Sequence, residues 1–323
     1  MRRAALAVWA TAVLAGCAHL APGLEPEDLA RLPRRAELSA VPFFPQREYQ
    51  CGPAALAAVL ASSGLAVTDR QLEKEVYLPG RQGSLQAELV AASRARDRLP
   101  YELAPQPAAL LEEVAAGRPV LVLQNLGWEI APVWHFAVLI GFDLDAGRVV
   151  LRSGTTERLE MSLGKFVRTW DRAGRWAMVV LAPDELPADP EPQRYLRAAA
   201  GLEAIGRLEA AARAYARAHE RWPDSVWPVL GLANIDYARG DLASAQNGYF
   251  AALALDDTNV IAHNNLAEIL AGRGCREEAR AHIERARQLA AKTTLEPAVA
   301  ATSRKIASMP DSESESCSAS ATR

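Results

Sequence analysis

Cys51 stands directly before Gly52-Pro53 and the apolar run Ala54-Ala-Leu-Ala-Ala-Val-Leu-Ala-Ser-Ser-Gly64. The run is rich in alanine, apolar at 56, 59 and 60, and closed by a glycine suited to a C-cap, so it is predicted to be a helix. Pro53 fits a first turn, where no amide donor is needed. Cys51 therefore sits at a helix N-terminus, where the partial positive charge favours a thiolate. A lone cysteine is more often a buried structural residue; a matching base changes that reading. His135 opens the run Trp134-His-Phe-Ala-Val-Leu-Ile-Gly-Phe-Asp143, which reads as a buried strand with one polar group at its start. The other histidines, at 19, 219, 263 and 282, fall outside residues 37–183. His135 is thus the imidazole available to Cys51, and the pair suits nucleophilic catalysis by a thiol.

A catalytic imidazole also needs a group that fixes its ring. Asp143 lies eight residues further along the strand, about 26 Å away at roughly 3.3 Å per residue, which is too far. A hairpin turn centred near residue 145 places position 155 opposite 135 and brings Ser153, Gly154 and Thr155 beside the ring. The Ser153 hydroxyl can orient an imidazole but stabilises an imidazolium less than a carboxylate does. Asn125, at the end of the apolar segment 120–124, is an alternative orienter.

Gln46, the Cys51-Gly-Pro-Ala start of an apolar helix, and the Trp134-His135-Phe-Ala-Val-Leu-Ile-Gly-Phe-Asp segment resemble the double-glycine leader peptidases. These papain-like cysteine peptidases process bacteriocin precursors, usually as the N-terminal domain of an ABC exporter. The resemblance covers about residues 38–182. It implies a papain-like α+β fold with Cys51 as nucleophile and His135 as general base and then acid. It also implies that the Gln46 side-chain amide stabilises the oxyanion together with the Cys51 backbone amide. Gln50 is a second amide nearby, expected to point elsewhere. There are two departures from the family pattern. Exporter segments are replaced here by a lipid-anchor signal and repeats. Ser153 stands where the family usually carries an aspartate.

The N-terminus pairs Arg2 and Arg3 with an uncharged stretch, Ala4 to Gly16. That stretch is shorter than the roughly 20 residues of a spanning helix and reads as an export signal, residues 1–16. Leu14-Ala-Gly-Cys17 resembles the lipobox of bacterial lipoproteins, which implies acylation at Cys17. Ala18 after it implies sorting to the outer membrane, so the expected location is the cell envelope, on the periplasmic face of that membrane. Losing residues 1–16 moves the formal charge from −3 to −5, so the expected anchor is lipid rather than attraction to anionic headgroups. Residues 17–36 read as a tether with one short helix.

Beyond a proline-rich and acidic linker at 184–191, residues 192–291 repeat with a period of 34. The offset aligns Gly206 with Gly240 and Gly274, Ala211 with Ala245 and Ala279, and Ala218 with Ala252 and Ala286. Small residues at fixed positions suit close-packed helices, and the period resembles about three tetratricopeptide repeats. The resemblance implies a groove that binds a peptide or protein partner. His263, Asn264 and Asn265 either line that groove or serve as cap and surface residues. Residues 292–323 are expected to be disordered.

The bulk composition agrees with a two-domain globular chain. Half of the 323 residues are apolar, 23% are charged, and 36 basic against 39 acidic residues exclude a basic nucleic-acid grip. Cysteines at 17, 51, 275 and 317 form neither a disulfide framework nor a zinc spacing. Cys275 is expected to be a small turn residue and Cys317 a non-structural one, and no cofactor is expected. The expected architecture is a papain-like α+β peptidase domain at 37–183 followed by an all-α tetratricopeptide-repeat domain. The expected function is cleavage of a peptide or protein substrate by a lipid-anchored cysteine peptidase. Two rivals remain: an inactive peptidase-like scaffold that binds peptides, and a thiol enzyme of related fold acting on cell-wall peptides.

Overall fold

A computed structural model describes residues 23–309. Signal, lipobox and the tail from residue 310 lie outside the described residues. The chain divides into two compact units, one up to Ala198 and one from Ala199 onward.

The first unit is built on an antiparallel sheet. Its strands are β1 (Arg35–Glu37), β2 (Leu99–Glu102), β3 (Val120–Asn125), β4 (Trp134–Asp143), β5 (Arg148–Ser153), β6 (Thr156–Ser162) and β7 (Ala177–Leu181). The order is β2-β7-β3-β4-β5-β6, with β1 added to β4. The helices are α1 (Pro26–Arg31), α2 (Cys51–Ser62), α3 (Asp69–Val76), α4 (Gln86–Arg94), α5 (Pro107–Ala115) and α6 (Leu163–Asp171). Segment 17–36 is thus not wholly a tether: Arg35 to Glu37 pair with Asp143 to Gly141, so the domain claims its last residues.

α2 has no polar face. Gly52 through Leu60 are all buried, because alanine and glycine let neighbours approach from every side. One side meets Leu121, Leu123, Phe136, Val138 and Ile140 of the sheet, and the other meets Leu72 and Val76 of α3 and Leu89 of α4. A helix apolar all round belongs inside a core, and this one fixes where its first residue, Cys51, stands.

The second unit is helical. α7 (Pro192–Glu203) spans the division, and α8 (Leu208–Arg221), α9 (Val226–Arg239), α10 (Leu242–Leu255), α11 (Val260–Gly272), α12 (Arg276–Ala290) and α13 (Glu296–Ser308) follow. The starts of α7, α9 and α11, and those of α8, α10 and α12, recur at the 34-residue offset of the sequence. Gly240 and Gly274 carry the left-handed turns between paired helices, with φ of 80° and 82°. Gly231 and Gly248 serve closeness instead. A Cβ on Gly231 would lie 2.5 Å from the Tyr215 ring, and one on Gly248 2.7 Å from Ala233 Cβ. Gly231→Ala is therefore expected to lower stability by about 1–3 kcal/mol through overpacking, despite alanine's better helix propensity. Thermal unfolding measures it; a variant as stable as wild type would show that the ring has room to retreat.

Two expectations are corrected here. Segment 184–191 does not hang free: Ala188 N donates to Glu113 Oε1 at 2.7 Å and Glu191 N to Tyr101 Oη at 3.2 Å. Order also continues past residue 291, because Val299 and Ile306 of α13 are buried, seven residues apart on one face, against the repeat core. Cys275, the expected small residue at a helix start, is buried and directly precedes α12, and it is disulfide-bonded. His263, Asn264 and Asn265 face inward. His263 is buried with Nδ1 at 2.8 Å from His282 Nδ1, Asn265 donates to Tyr249 Oη at 3.1 Å, and Asn264 Oδ1 is buried without a partner.

Candidate active site

Cys51 is the first residue of α2, and the turn before it is tight. Tyr49 takes a left-handed φ of 59°, and Gln50 N donates to Arg47 O at 3.0 Å. Gln50 points away, donating through Nε2 to Glu73 Oε1 at 2.5 Å. Gly52 is obligatory next to the sulfur, since a Cβ there would lie 2.3 Å from Ser84 Oγ.

Backbone hydrogen bonds from Phe136, Gly52 and Cys51 itself favour the thiolate, yet burial outweighs them and pushes the Cys51 thiol up. The expectation of a thiol acidified by its helix is thereby corrected: the helix start does favour the anion, but less than loss of solvent disfavours it. Burial likewise pushes the His135 imidazole down. The resting pair is accordingly a neutral thiol and a neutral ring.

His135 and Ser153 meet as the hairpin geometry anticipates. Val138 pairs with Arg152, the register that puts 155 opposite 135, and a bulge between Leu139 and Gly141 resets the pairing only nearer the turn. His135 Nε2 lies 2.8 Å from Ser153 Oγ. When Nε2 carries the proton it donates to that hydroxyl, and Nδ1 keeps its lone pair. Asn125 is engaged elsewhere: its Oδ1 accepts from Gly127 N at 3.0 Å and Val133 N at 2.9 Å. Asp143 caps the hairpin turn through Ala146 N, at the far end of β4.

Gln46 arrives on an irregular strap, and its anchor is a residue sequence reasoning missed. The buried Arg152 guanidinium donates to Val41 O at 2.9 and 3.1 Å, Ser39 O at 2.9 Å and Glu157 O at 2.7 Å. Gln46 N then donates to Gly154 O at 3.0 Å. The signal was an arginine interrupting the apolar run of β5. Gln46 Oε1 and Ser84 Oγ are buried without partners, and both line the cavity of about 830 Å³ that also holds Cys51, His135 and Trp134. Unpaired buried polar atoms are rare, and these two belong to residues on the wall of one cleft.

Replacing Ser153 by Asp tests the departure from the family pattern. A carboxylate at 2.8 Å from Nε2 would raise the depressed His135 pKa and stabilise the imidazolium. Turnover is expected to rise by up to about tenfold, with its acid limb moved to higher pH. An unchanged pH profile would mean that Ser153 does not face the titrating ring.

An antiparallel sheet carrying a histidine at the end of one strand, with a cysteine at the start of the helix packed on it, defines a C39-type, papain-like peptidase fold. Residues 38–178 match the model of the Peptidase_C39 like family. A search of the curated proteins found no match. Among solved structures, a C39-like peptidase from Bacillus anthracis is 22% identical, over 46% of this chain and 98% of that one, with a TM-score of 0.38. The peptidase domain of Streptococcus ComA, a bifunctional ABC transporter, is 18% identical over 44% and 98%, with a TM-score of 0.36. The type III secretion translocator chaperone SycD of Yersinia enterocolitica is 20% identical over 36% and 82%, with a TM-score of 0.33. The helical unit is of tetratricopeptide-repeat type. Among the described residues no helix is long and apolar enough to cross a membrane.

Proposed function

We propose that this chain is an exported, lipid-anchored cysteine peptidase that cleaves peptide bonds, its repeats recruiting the substrate or a partner. The observation that carries this reading is the gathering of Cys51, His135 and Gln46 around one cavity. As the scissile carbonyl enters, His135 Nδ1 takes the Cys51 proton while sulfur attacks the carbonyl carbon. The Gln46 amide and the Cys51 backbone N–H stabilise the resulting oxyanion. The imidazolium, held by Ser153, returns its proton to the leaving amine, leaving a thioester. Water, deprotonated by the same ring, releases the acid and restores the thiol.

The test is incubation of the mature protein with a mixed peptide pool, read by mass spectrometry, before and after iodoacetamide treatment. New termini that vanish on alkylation support a peptidase. Cys51 alkylation without any cleavage favours the second reading, a peptide-binding scaffold, to which the missing carboxylate beside His135 lends support.

The anchor is tested separately. Cys17→Ser is expected to move the protein from the membrane fraction to the soluble one, or to block maturation. Unaltered fractionation and maturation would sink the lipoprotein reading.

A further inference from the structure

The loop between β3 and β4 carries an apolar tip that none of the described residues covers. Trp128 is 78% exposed and Ile130 97%, with Leu126, Val133 and Trp134 also exposed at its base. The loop is braced. Trp128 N donates to Ala131 O at 3.1 Å and Ala131 N to Trp128 O at 3.2 Å, and Asn125 ties both stems through Gly127 and Val133. Only Pro132, Val133 and Trp134 of this segment line the catalytic cleft. Trp128 and Ile130 therefore form a held apolar point outside the substrate cavity, a feature that marks an interaction site.

The entry of the chain shows what meets it. Leu103 N donates to Ala177 O, and Ala177 pairs with Val122 of β3. Arg175 donates to Pro105 O, and Arg172 donates to Asn125 O. These bonds place residues 103–107 at the end of the sheet where β3 runs into the loop. Gly23 lies against Pro107, a Cβ on it falling 3.1 Å from that ring. The described chain thus begins at the end of the sheet that bears the apolar tip. Cys17 precedes Gly23 by six residues, a reach of about 21 Å at roughly 3.5 Å per residue.

We infer that Trp128 and Ile130 insert into the interfacial layer of the bilayer that holds the Cys17 lipid, as a second membrane contact that orients the catalytic domain. This rests on the lipid-anchor reading. An indole suits the headgroup level and an isoleucine the upper acyl chains. Arg172, at the same end, supplies positive charge for lipid phosphates, while Arg175 is paired with Asp171. The cleft would then open beside the membrane, toward peptides displayed at its surface.

The experiment reconstitutes the full mature chain in phosphatidylethanolamine–phosphatidylglycerol vesicles with lipid brominated at the top of the acyl chain, beside the headgroup, which quenches indoles lying at that interfacial depth. Wild type is expected to lose part of its tryptophan emission; Trp128→Phe abolishes that quenching, and Ile130→Asp lowers it at least threefold. Labelling of Cys51 by iodoacetamide stays unchanged in both variants. Equal quenching in wild type and Trp128→Phe, with the protein still vesicle-bound, overturns the inference and leaves the anchor standing. Protein that fails to bind vesicles and shows no quenching overturns both. A variant that changes oligomeric state instead assigns the tip to a second copy, and one that raises KM for peptides assigns it to substrate; either result overturns the inference.

Discussion

Cys51→Ala is expected to abolish peptide hydrolysis, and His135→Ala to lower it by at least about a thousandfold, while the two differ in thiol chemistry. Both groups are neutral at rest, with burial holding the thiol above its ordinary range and the ring below its own. A raised thiol pKa leaves little thiolate at neutral pH, so alkylation of wild type should climb through and beyond the free-thiol value of about 8.5. No thiolate–imidazolium pair is stored, so His135→Ala should not move that climb upward, although it stops turnover. Iodoacetamide kinetics against pH measure it cleanly, because Cys51 is the free cysteine among the described residues. An alkylation optimum near neutrality that disappears in His135→Ala would establish an ion pair and refute the neutral resting state.

Gln46→Ala should separate binding of the oxyanion from everything else. Removing one oxyanion donor costs about a hundredfold to a thousandfold in kcat. Stability should move the other way or not at all, since Gln46 Oε1 is buried without a partner and an orphaned polar atom costs about 1–3 kcal/mol. Alkylation of Cys51 should be unaffected. Lost kcat with undiminished thermal stability matches the proposed role. A variant that unfolds early would make Gln46 a structural residue of the strap.

Residue types and spacing read well wherever a local rule was decisive. α2 followed from its alanines, Pro53 and Gly64, and the 34-residue helix starts from small residues at fixed offsets. The meeting of Ser153 with His135 followed from hairpin arithmetic, and the bulge near residue 140 left it intact because it lies on the turn side. What stayed hidden depends on distant parts of the chain. Arg152 reads as a charge in a strand, and only the fold shows its guanidinium gathering the carbonyls of Ser39, Val41 and Glu157. The protonation state of Cys51 was misjudged because the helix start is visible in sequence and the depth of burial is not. α13 was missed because two apolar residues seven apart are a faint signal beside a serine-rich tail.

For the exported protein proposed above, the neutral resting pair also bears on how long such a site survives. Peroxides and disulfides attack the thiolate, and each step down the oxidation ladder starts from that anion. A permanently ionised nucleophile in an oxidising compartment would be spent between encounters with substrate. Cys51, largely enclosed and with its thiol pushed toward the protonated form, offers oxidants little to react with, and under the proposed mechanism its anion forms only when a peptide fills the cleft and His135 receives the proton.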